Sequence, residues 1–382
     1  MGRAMKPNHA PTAAELRLLA AELADATSGF GPDRAELLAL HGVTPGPGHD
    51  FTLAVRVPGG RLNAAQFLAL DDIADRYGDG TLHLAPRQRI TLGGVLKRDL
   101  KEAIGVIDLA RLTTFAAGGN VPRVSALAPR RTPAHRRLEV AARRLAEHLT
   151  PSRRAYEELW LEGERDTGDD PEDFHLPTTL EVGLALPEDD AIDVLTSDLA
   201  ILALDDGARL EGYNLALGGA PRHRSALAPR LAPPVAFVPP DELPAVAAAL
   251  VRLDRNRAEP PARTELEAAL GRTLASPRPM PQLRVENHRG WREQGDGKLY
   301  LGLPIPEGRV ADSGGAKLRT ALRLICKGFG ADVMVTPYQD LVLGNIAVGD
   351  RLAVDTALVG LGVTPGMRGA ASSTPSVLKE AS

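Results

Sequence analysis

The chain is 382 residues long, enough for two or three domains and a substantial core. Its formal net charge of −4 offers no basic surface for nucleic acid, and nothing approaches an apolar run of about eighteen residues or a charged-then-apolar leader, so a soluble, cytoplasmic protein without nucleic-acid or membrane partners is expected. A single cysteine, Cys326, excludes an internal disulfide and any cysteine-only iron–sulfur or zinc site within these residues.

Residues 1–12 are polar and read as loose. A Thr-x-x-Glu capping box at Thr12 and Glu15 predicts a helix over 12–24. Residues 51–57 (FTLAVRV) alternate as a strand and feed the turn Pro58-Gly59-Gly60-Arg61. Ala65, Phe67, Leu68, Leu70, Ile73, Ala74 and Tyr77 then mark a helix with Asp71, Asp72 and Asp75 on its other side, stopped by Gly78 and Gly80. Residues 82–95 read as one strand carrying Arg87, Gln88 and Arg89. A short helix is expected over 101–111, and a Gly-containing loop over 112–126 with Arg123 near its end.

Residues 130–164 read as helical. The arginine cluster over 130–154 is the solvated face of that helix, and Leu138, Ala141, Ala142, Leu145 and Leu149 are its buried face. An acidic turn cluster over 166–173 suggests a boundary. Strands are expected over 180–186, 198–204 and 211–217, followed by a helix over 240–255. Residues 258–281 carry Pro260, Pro261, Pro277, Pro279 and Pro281 around one short helix and read as a linker. Cys326 falls on a helix face beside Leu322 and Ile325 and reads as a core residue. Residues 366–382 have no evident fold.

One stretch recurs. Gly60-Arg61-Leu62 is answered by Gly308-Arg309-Val310, Tyr77-Gly78 by Phe329-Gly330, and Pro86-Arg87-Gln88 by Pro337-Tyr338-Gln339. Leu92-Gly93-Gly94-Val95 is answered by Leu343-Gly344-Asn345-Ile346. The Arg-to-Gln spacing is 27 residues in the first copy (61 to 88) and 30 in the second (309 to 339). Two copies separated by a long insert predict a pseudo-two-fold pair of half-domains rather than a solenoid.

Candidate chemistry is sparse. Arg87 and Arg123 follow strand-end or Gly-containing elements and could aim a planar fork of donors at an anion. Gly218-Gly219-Ala220, followed by Arg222 and His223, could bring backbone N–H groups to a carboxylate or phosphate; the plain alternative is an ordinary turn. His135, His175 and His288 stand singly, without metal-ligand spacing. No Ser/His/Asp arrangement, P-loop or dinucleotide fingerprint is present.

Five stretches carry a resemblance. They are Arg56-Val57-Pro58-Gly59-Gly60-Arg61-Leu62, Pro86-Arg87-Gln88, residues 112–123, residues 184–220 continuing into 232–240, and residues 290–309 with the half-domain that follows. Together they resemble the siroheme-dependent sulfite and nitrite reductase family, over about residues 38–350. The resemblance implies an α+β fold in which two pseudo-symmetric ferredoxin-like half-domains flank an α/β siroheme-binding-type domain. The expected division is 1–36 as an N-terminal helical extension, 37–125 as the first half-domain, 126–281 as the middle domain, 282–363 as the second half-domain and 364–382 as a tail.

In that family a siroheme is bridged by a cysteine thiolate to a 4Fe-4S cluster, and electrons from a ferredoxin or flavoprotein reduce a bound sulfite or nitrite by six electrons. The resemblance makes Arg87 and Arg123 the anion- and haem-facing catalytic candidates. It makes Arg87, Gln88, Arg123, Gly218, Gly219, Arg222 and Arg255 the cofactor-binding candidates, with no metal ligand. The sequence also departs from the family. Pro86 replaces a threonine and Val124 an asparagine. Leu176-Pro177-Thr178-Thr179-Leu180-Glu181 stands where the family has Leu-Pro-Arg-Lys-Phe-Lys, and Arg255-Asn256 where it has Arg-Asp. The two cysteine pairs that hold the cluster, placed beyond the second half-domain in the family, are missing from these residues. The expectation is a family member that binds siroheme by resemblance, has no 4Fe-4S cluster of its own, and does not catalyse the reaction alone. It would be a non-catalytic scaffold or heteromer subunit, or the N-terminal part of a split reductase completed by a cluster-bearing partner chain.

Overall fold

Two glycines decide how the halves of the molecule join. Strand β1 (Val43–Pro45) pairs antiparallel with β2 (Asp50–Arg56), whose alternation buries Phe51, Leu53 and Val55. Gly59 and Gly60 then take φ of 64° and 69°, a region glycine enters without cost, and at Gly60 a Cβ would also press on Val335 O at 2.7 Å. The turn carries β3 (Arg61–Leu62) out of its own sheet and into the sheet of the second half. The structure, a computed structural model, describes residues 13–24, 35–46, 48–86, 88–117, 122–149, 180–219, 233–254 and 259–365.

The helix Ala64–Tyr77 starts with a capping box: Asn63 Oδ1 accepts from Gln66 N at 2.8 Å, and Gln66 Oε1 accepts from Asn63 N at 3.1 Å. Phe67, Leu70, Ile73, Ala74 and Tyr77 form its buried face, as the spacing predicts. The single strand expected over 82–95 is instead a hairpin of β4 (Leu82–Ala85) and β5 (Arg89–Leu96). Its turn is tight because Gln88 takes φ 62°, and alternating residues on both sides of such a turn look continuous in sequence. The helix Leu100–Leu109 follows.

The 112–126 stretch is not all loop, since it ends in β6 (Pro122–Ala126). The helix Pro133–His148 comes next, N-capped by Thr132. Then come β7 (Leu180–Ala185), β8 (Leu199–Asp205), β9 (Leu210–Leu217) and β10 (Pro234–Val238), giving a sheet in the order β10-β9-β8-β7-β6. Strands β6, β7 and β8 run parallel and the rest antiparallel. Nearly every residue of β7 and β8 is buried, which is why both read as continuous apolar runs. The helices Leu243–Asp254 and Arg263–Leu270 lie within the middle core, Leu266 being fully buried there. The proline-rich stretch expected as a linker is therefore fastened down. Asn214 and Arg278 exchange backbone–side-chain bonds of 2.8 and 2.9 Å, and Phe237 bridges to Ala275.

The second half repeats the first. It runs β11 (Gly290–Glu293), β12 (Lys298–Leu303), β13 (Arg309–Val310), a small hairpin of β14 (Asp312–Ser313) and β15 (Ala316–Lys317), the helix Leu318–Phe329, β16 (Asp332–Val335), β17 (Leu341–Ala347) and the helix Arg351–Gly360. The longer spacing of the second copy is taken up by the β14–β15 hairpin. Strand β13 pairs with β4 of the first half, while β3 pairs with β16 of the second, so each sheet is completed by the other copy. The two helices pack at the centre of one shared core holding Leu62, Leu70, Ile73, Leu322, Ile325 and Val333. Cys326 is buried in it, as expected. Among the described residues no helix is long and apolar enough to cross a membrane.

Candidate functional site

Strand β2 ends at Arg56 and β5 begins at Arg89, and the two are cross-strand partners. Like charges directly opposite one another are unfavourable in a sheet, so this pairing has a cost that something must offset. The Arg56 backbone N donates to Thr113 O at 3.0 Å, and Arg89 Nη1 donates to Ala117 O at 3.2 Å, which tethers both arginines to the segment before β6. Arg123, the second residue of β6, closes the same cleft together with Gln88, Val124 and the Ala116–Ala117 backbone.

Burial pushes the Arg56 and Arg123 guanidiniums down to about 10, Arg123 further discouraged by Arg89 beside it. Arg89 is lowered by burial as well, with Glu181 acting the other way. All three remain cationic at neutral pH. The carboxylate that acts on Arg89 and Arg123 is Glu181 on β7, in register opposite Arg123 and 3.7 Å from its Nη1. Arg89 Nε and Arg123 Nε are buried without an acceptor. A buried N–H of a charged group left in that state is costly, and an anion is the kind of group that would accept from it.

Gln88 shapes one wall. Its left-handed backbone turns the side chain inward, where Nε2 donates to Ala126 O at 2.7 Å and Val335 O at 2.9 Å while Oε1 accepts from Ala126 N at 3.0 Å. One side chain thus ties the first half, the middle sheet and the second half together beside the arginines.

Of the sequence candidates, Gln88 and Arg123 meet in this cleft. Gly218 and Gly219 lie at the same end of the middle sheet, about 14 Å away by three strand spacings. Their close approaches are to protein: a Cβ on Gly218 would lie 2.8 Å from Pro260 Cβ, and one on Gly219 would overlap Leu195 O. Arg87, Arg222 and Arg255 lie outside the described residues, as do Thr178, Thr179 and His175. Sequence reasoning did not single out Arg56 and Arg89. The available signal was their position, one at each strand end flanking the recurrent turns.

The histidines read as solitary are not so. His135 Nε2 lies 2.8 Å from Asp189 Oδ2, and His288 Nε2 lies 3.0 Å from Asp189 Oδ1 with its N–H off the line of a hydrogen bond. His288 Nδ1 is 2.8 Å from Tyr300 Oη, and Thr132 Oγ1 is 2.7 Å from His135 Nδ1. This chain joins the middle domain to the second half. Among the described residues no group of three or more His, Cys, Asp or Glu could hold a metal ion.

Two strand-exchanged ferredoxin-like halves, clasping a mixed sheet and bringing buried arginines together at the seam, define a duplicated half-domain protein with an arginine-lined cleft. Residues 45–108 match the family described as "Nitrite/Sulfite reductase ferredoxin-like half domain", and residues 140–268 match "Nitrite and sulphite reductase 4Fe-4S domain". The chain is 31% identical over 408 residues to the "Sulfite reductase [ferredoxin]" of Synechococcus elongatus, covering 91% of this chain and 65% of that protein. It is 32% identical over 350 residues to a "Sulfite reductase [NADPH] hemoprotein beta-component" of Staphylococcus saprophyticus, covering 84% and 61%. The solved structure of the NirA protein of Mycobacterium tuberculosis shares the fold, with a TM-score of 0.72 at 22% identity over 94% of this chain and 69% of that one. The chain belongs to the sulfite and nitrite reductase family and spans a little under two thirds of the length of the curated relatives it matches.

Proposed function

We propose that these residues form the siroheme- and oxyanion-facing part of a sulfite or nitrite reductase, and that by themselves they do not carry out the six-electron reduction. The observation that carries this reading is the convergence of Arg56, Arg89 and Arg123 on one cleft, where the buried Nε groups of Arg89 and Arg123 have no acceptor. Siroheme, an anionic tetrapyrrole, fits that donor set, and when bound it supplies the iron at which the anion is reduced. The chain's own residues do the rest. The three arginines hold negative charge, and Gln88 fixes the turn that carries Arg89. The apolar Val57, Ala116 and Ala117 walls limit water.

A 4Fe-4S cluster does not fit. It needs about four thiolates, yet residues 140–268, the stretch matching a 4Fe-4S domain description, contain no cysteine. The lone Cys326 is a buried helix residue whose thiol burial pushes up to about 12. Electrons would have to come from a cluster held outside these residues, with a ferredoxin or NADPH-linked flavoprotein as the ultimate donor; the relatives' names support that class of partner. A second reading is a non-catalytic scaffold or heteromer subunit, favoured by Glu181 standing opposite Arg123. Both readings place the protein in the cytoplasm.

The test is the full chain purified anaerobically from cells supplied with siroheme. Tetrapyrrole absorbance is expected in the wild type and should be lost from an Arg89→Ala, Arg123→Ala double variant. Neither stoichiometric iron and sulfide nor viologen-driven reduction of sulfite or nitrite is expected. Robust turnover by this polypeptide alone, or a bound cluster, would sink the proposal.

A further inference from the structure

The arginine cleft contains an internal opponent. Arg123 and Glu181 are paired residues on the parallel neighbours β6 and β7, so both side chains leave the same face of the sheet. Glu181 acts electrostatically on both Arg89 and Arg123, and its backbone N donates to Asp198 Oδ2 at 2.7 Å, which holds this point of the strand. The Arg123–Glu181 separation of 3.7 Å lies beyond hydrogen-bond reach. Glu181 therefore does not clamp the guanidinium in one orientation. It acts on the cleft as a negative charge beside the positive ones.

We propose that Glu181 sets the charge selectivity of this cleft: its carboxylate, in register beside Arg123, offsets part of that guanidinium and tilts the site toward singly charged oxyanions over doubly charged ones. The inference rests on the reading of the cleft as an anion site. Its physics is Coulomb's law. A fixed charge contributes to binding in proportion to the charge on the ligand, so Glu181 opposes a dianion twice as strongly, in logarithmic terms, as a monoanion at the same place. Arg56, Arg89 and Arg123 attract both kinds of ligand. Removing the Glu181 carboxylate changes the ratio in the dianion's favour without removing a donor. Burial makes the effect large, because solvent and salt screen a pair inside the seam less than one at the surface.

The experiment measures the affinity of the full chain for nitrite, a monoanion, and sulfate, a redox-inert dianion, by titration calorimetry at fixed pH and ionic strength. The chains compared are the wild type, Glu181→Gln and Glu181→Asp. Glu181→Gln should tighten nitrite by about fivefold and sulfate by about twenty-five-fold, the square of that factor. Glu181→Asp keeps the charge and should keep the wild-type ratio, which also guards against a folding defect in the neutral variant. Equal changes for the two anions, no change, or a loss for both would overturn the proposal, since a purely structural Glu181 predicts one of these. Binding of neither anion to any of the three chains would overturn the anion-site reading itself, and the two failures are thereby told apart.

Discussion

The two half-domains share a skeleton and differ in what they hang on it. Gly60 and Gly308 occupy matching turns at φ 69° and 64°, each pressed against the glutamine of its own half and a carbonyl of the other. Gln88 Nε2 donates to Val335 O at 2.9 Å, and Gln339 Nε2 donates to Leu84 O at 2.7 Å, a reciprocal pair across the pseudo-two-fold. In the aligned sequences of the two copies, Arg56 corresponds to Pro304, Arg87 to Tyr338 and Arg89 to Asp340. Asp340 is internally neutralised: it accepts from Ile305 N at 3.0 Å and pairs with Arg289 at 2.9 Å. The frame is thus a means of joining halves, and the cationic cleft is a local addition made in one copy. Geometry and chemistry are separable here, and substitutions can test whether they separate cleanly.

The largest effect is expected where the copies touch. With Tyr77 aligned on Phe329, Asp71 falls at the position of Arg323, and these two equivalent sites bond to each other across the axis. Asp71 is fully buried and also pairs with Arg319. Asp71→Ala removes the buried carboxylate that both guanidiniums share, leaving them only the exposed Asp75 and Asp72, and should cost about 3 kcal/mol of unfolding free energy in urea titration. The adjacent Asp75→Ala should cost less than about 1 kcal/mol, because Asp75 pairs with Arg319 from an exposed position. Equal losses for the two variants would mean that the buried charge is not what holds the copies together.

That axis was half legible. The duplication could be read because both copies kept Gly-Arg, Tyr/Phe-Gly and Pro-x-Gln at nearly equal spacings, and the helices could be read from their apolar period. The exchange of β3 and β13 could not. A two-residue strand carries no periodicity, and local pattern does not name a partner about 250 residues away. The hairpin at Gln88 was missed because a glutamine at positive φ gives no compositional warning, unlike glycine. The same limit hid the cleft. Arg123 stood out in a Gly-containing stretch, but Arg56 and Arg89 become a pair only through the β2–β5 register, and Glu181 meets Arg123 only because 122–126 is a strand. Asp189, His135 and His288 are scattered in sequence and meet through three separate elements.

A sharper form of the comparison uses the matched glycines. A Cβ on Gly60 would overlap Gln88 Nε2 and lie 2.7 Å from Val335 O; one on Gly308 would lie 2.6 Å from Leu84 O and 3.0 Å from Gln339 Nε2. Gly60→Ala and Gly308→Ala should each lower stability by about 2 kcal/mol, from overpacking and strained φ together. Anion affinity should part them. Gly60→Ala displaces Gln88, which lines the cleft and carries Arg89 next to it, so nitrite binding should weaken several-fold. Gly308→Ala should leave it unchanged. If both variants weaken binding alike, the cleft depends on the whole pseudo-symmetric frame, and the separation of frame from chemistry fails.

The halves also meet the middle domain differently, and the smallest predicted effect comes from there. The first half uses the neutral Gln88–Ala126 bonds, whereas the second meets adjacent carboxylates of opposite behaviour. Burial alone would raise Asp189, but His135 and His288 hold it well below the usual carboxylate range. Burial raises Asp190 to about 6 from an ordinary 3.8, despite backbone N–H groups of Val194 and Ile192 donating to it. The signs follow from linkage. For Asp190 the native state binds the proton more tightly than the unfolded chain, so its contribution is full below pH 3.8 and lost as pH rises through about 6. For Asp189 the contribution is present above the ordinary carboxylate range and disappears only as pH falls below it. Between pH 7 and pH 5 Asp190 therefore dominates this pair, and acidification should strengthen the seam by about 1 kcal/mol. Urea midpoints at the two pH values check this. Asp190→Asn, which keeps an acceptor for Val194 N but no longer titrates, should remove the gain while leaving Asp71→Ala as damaging as before. A pH response that survives Asp190→Asn would place the titrating group elsewhere, with the His135–Asp189–His288 chain the next group to substitute.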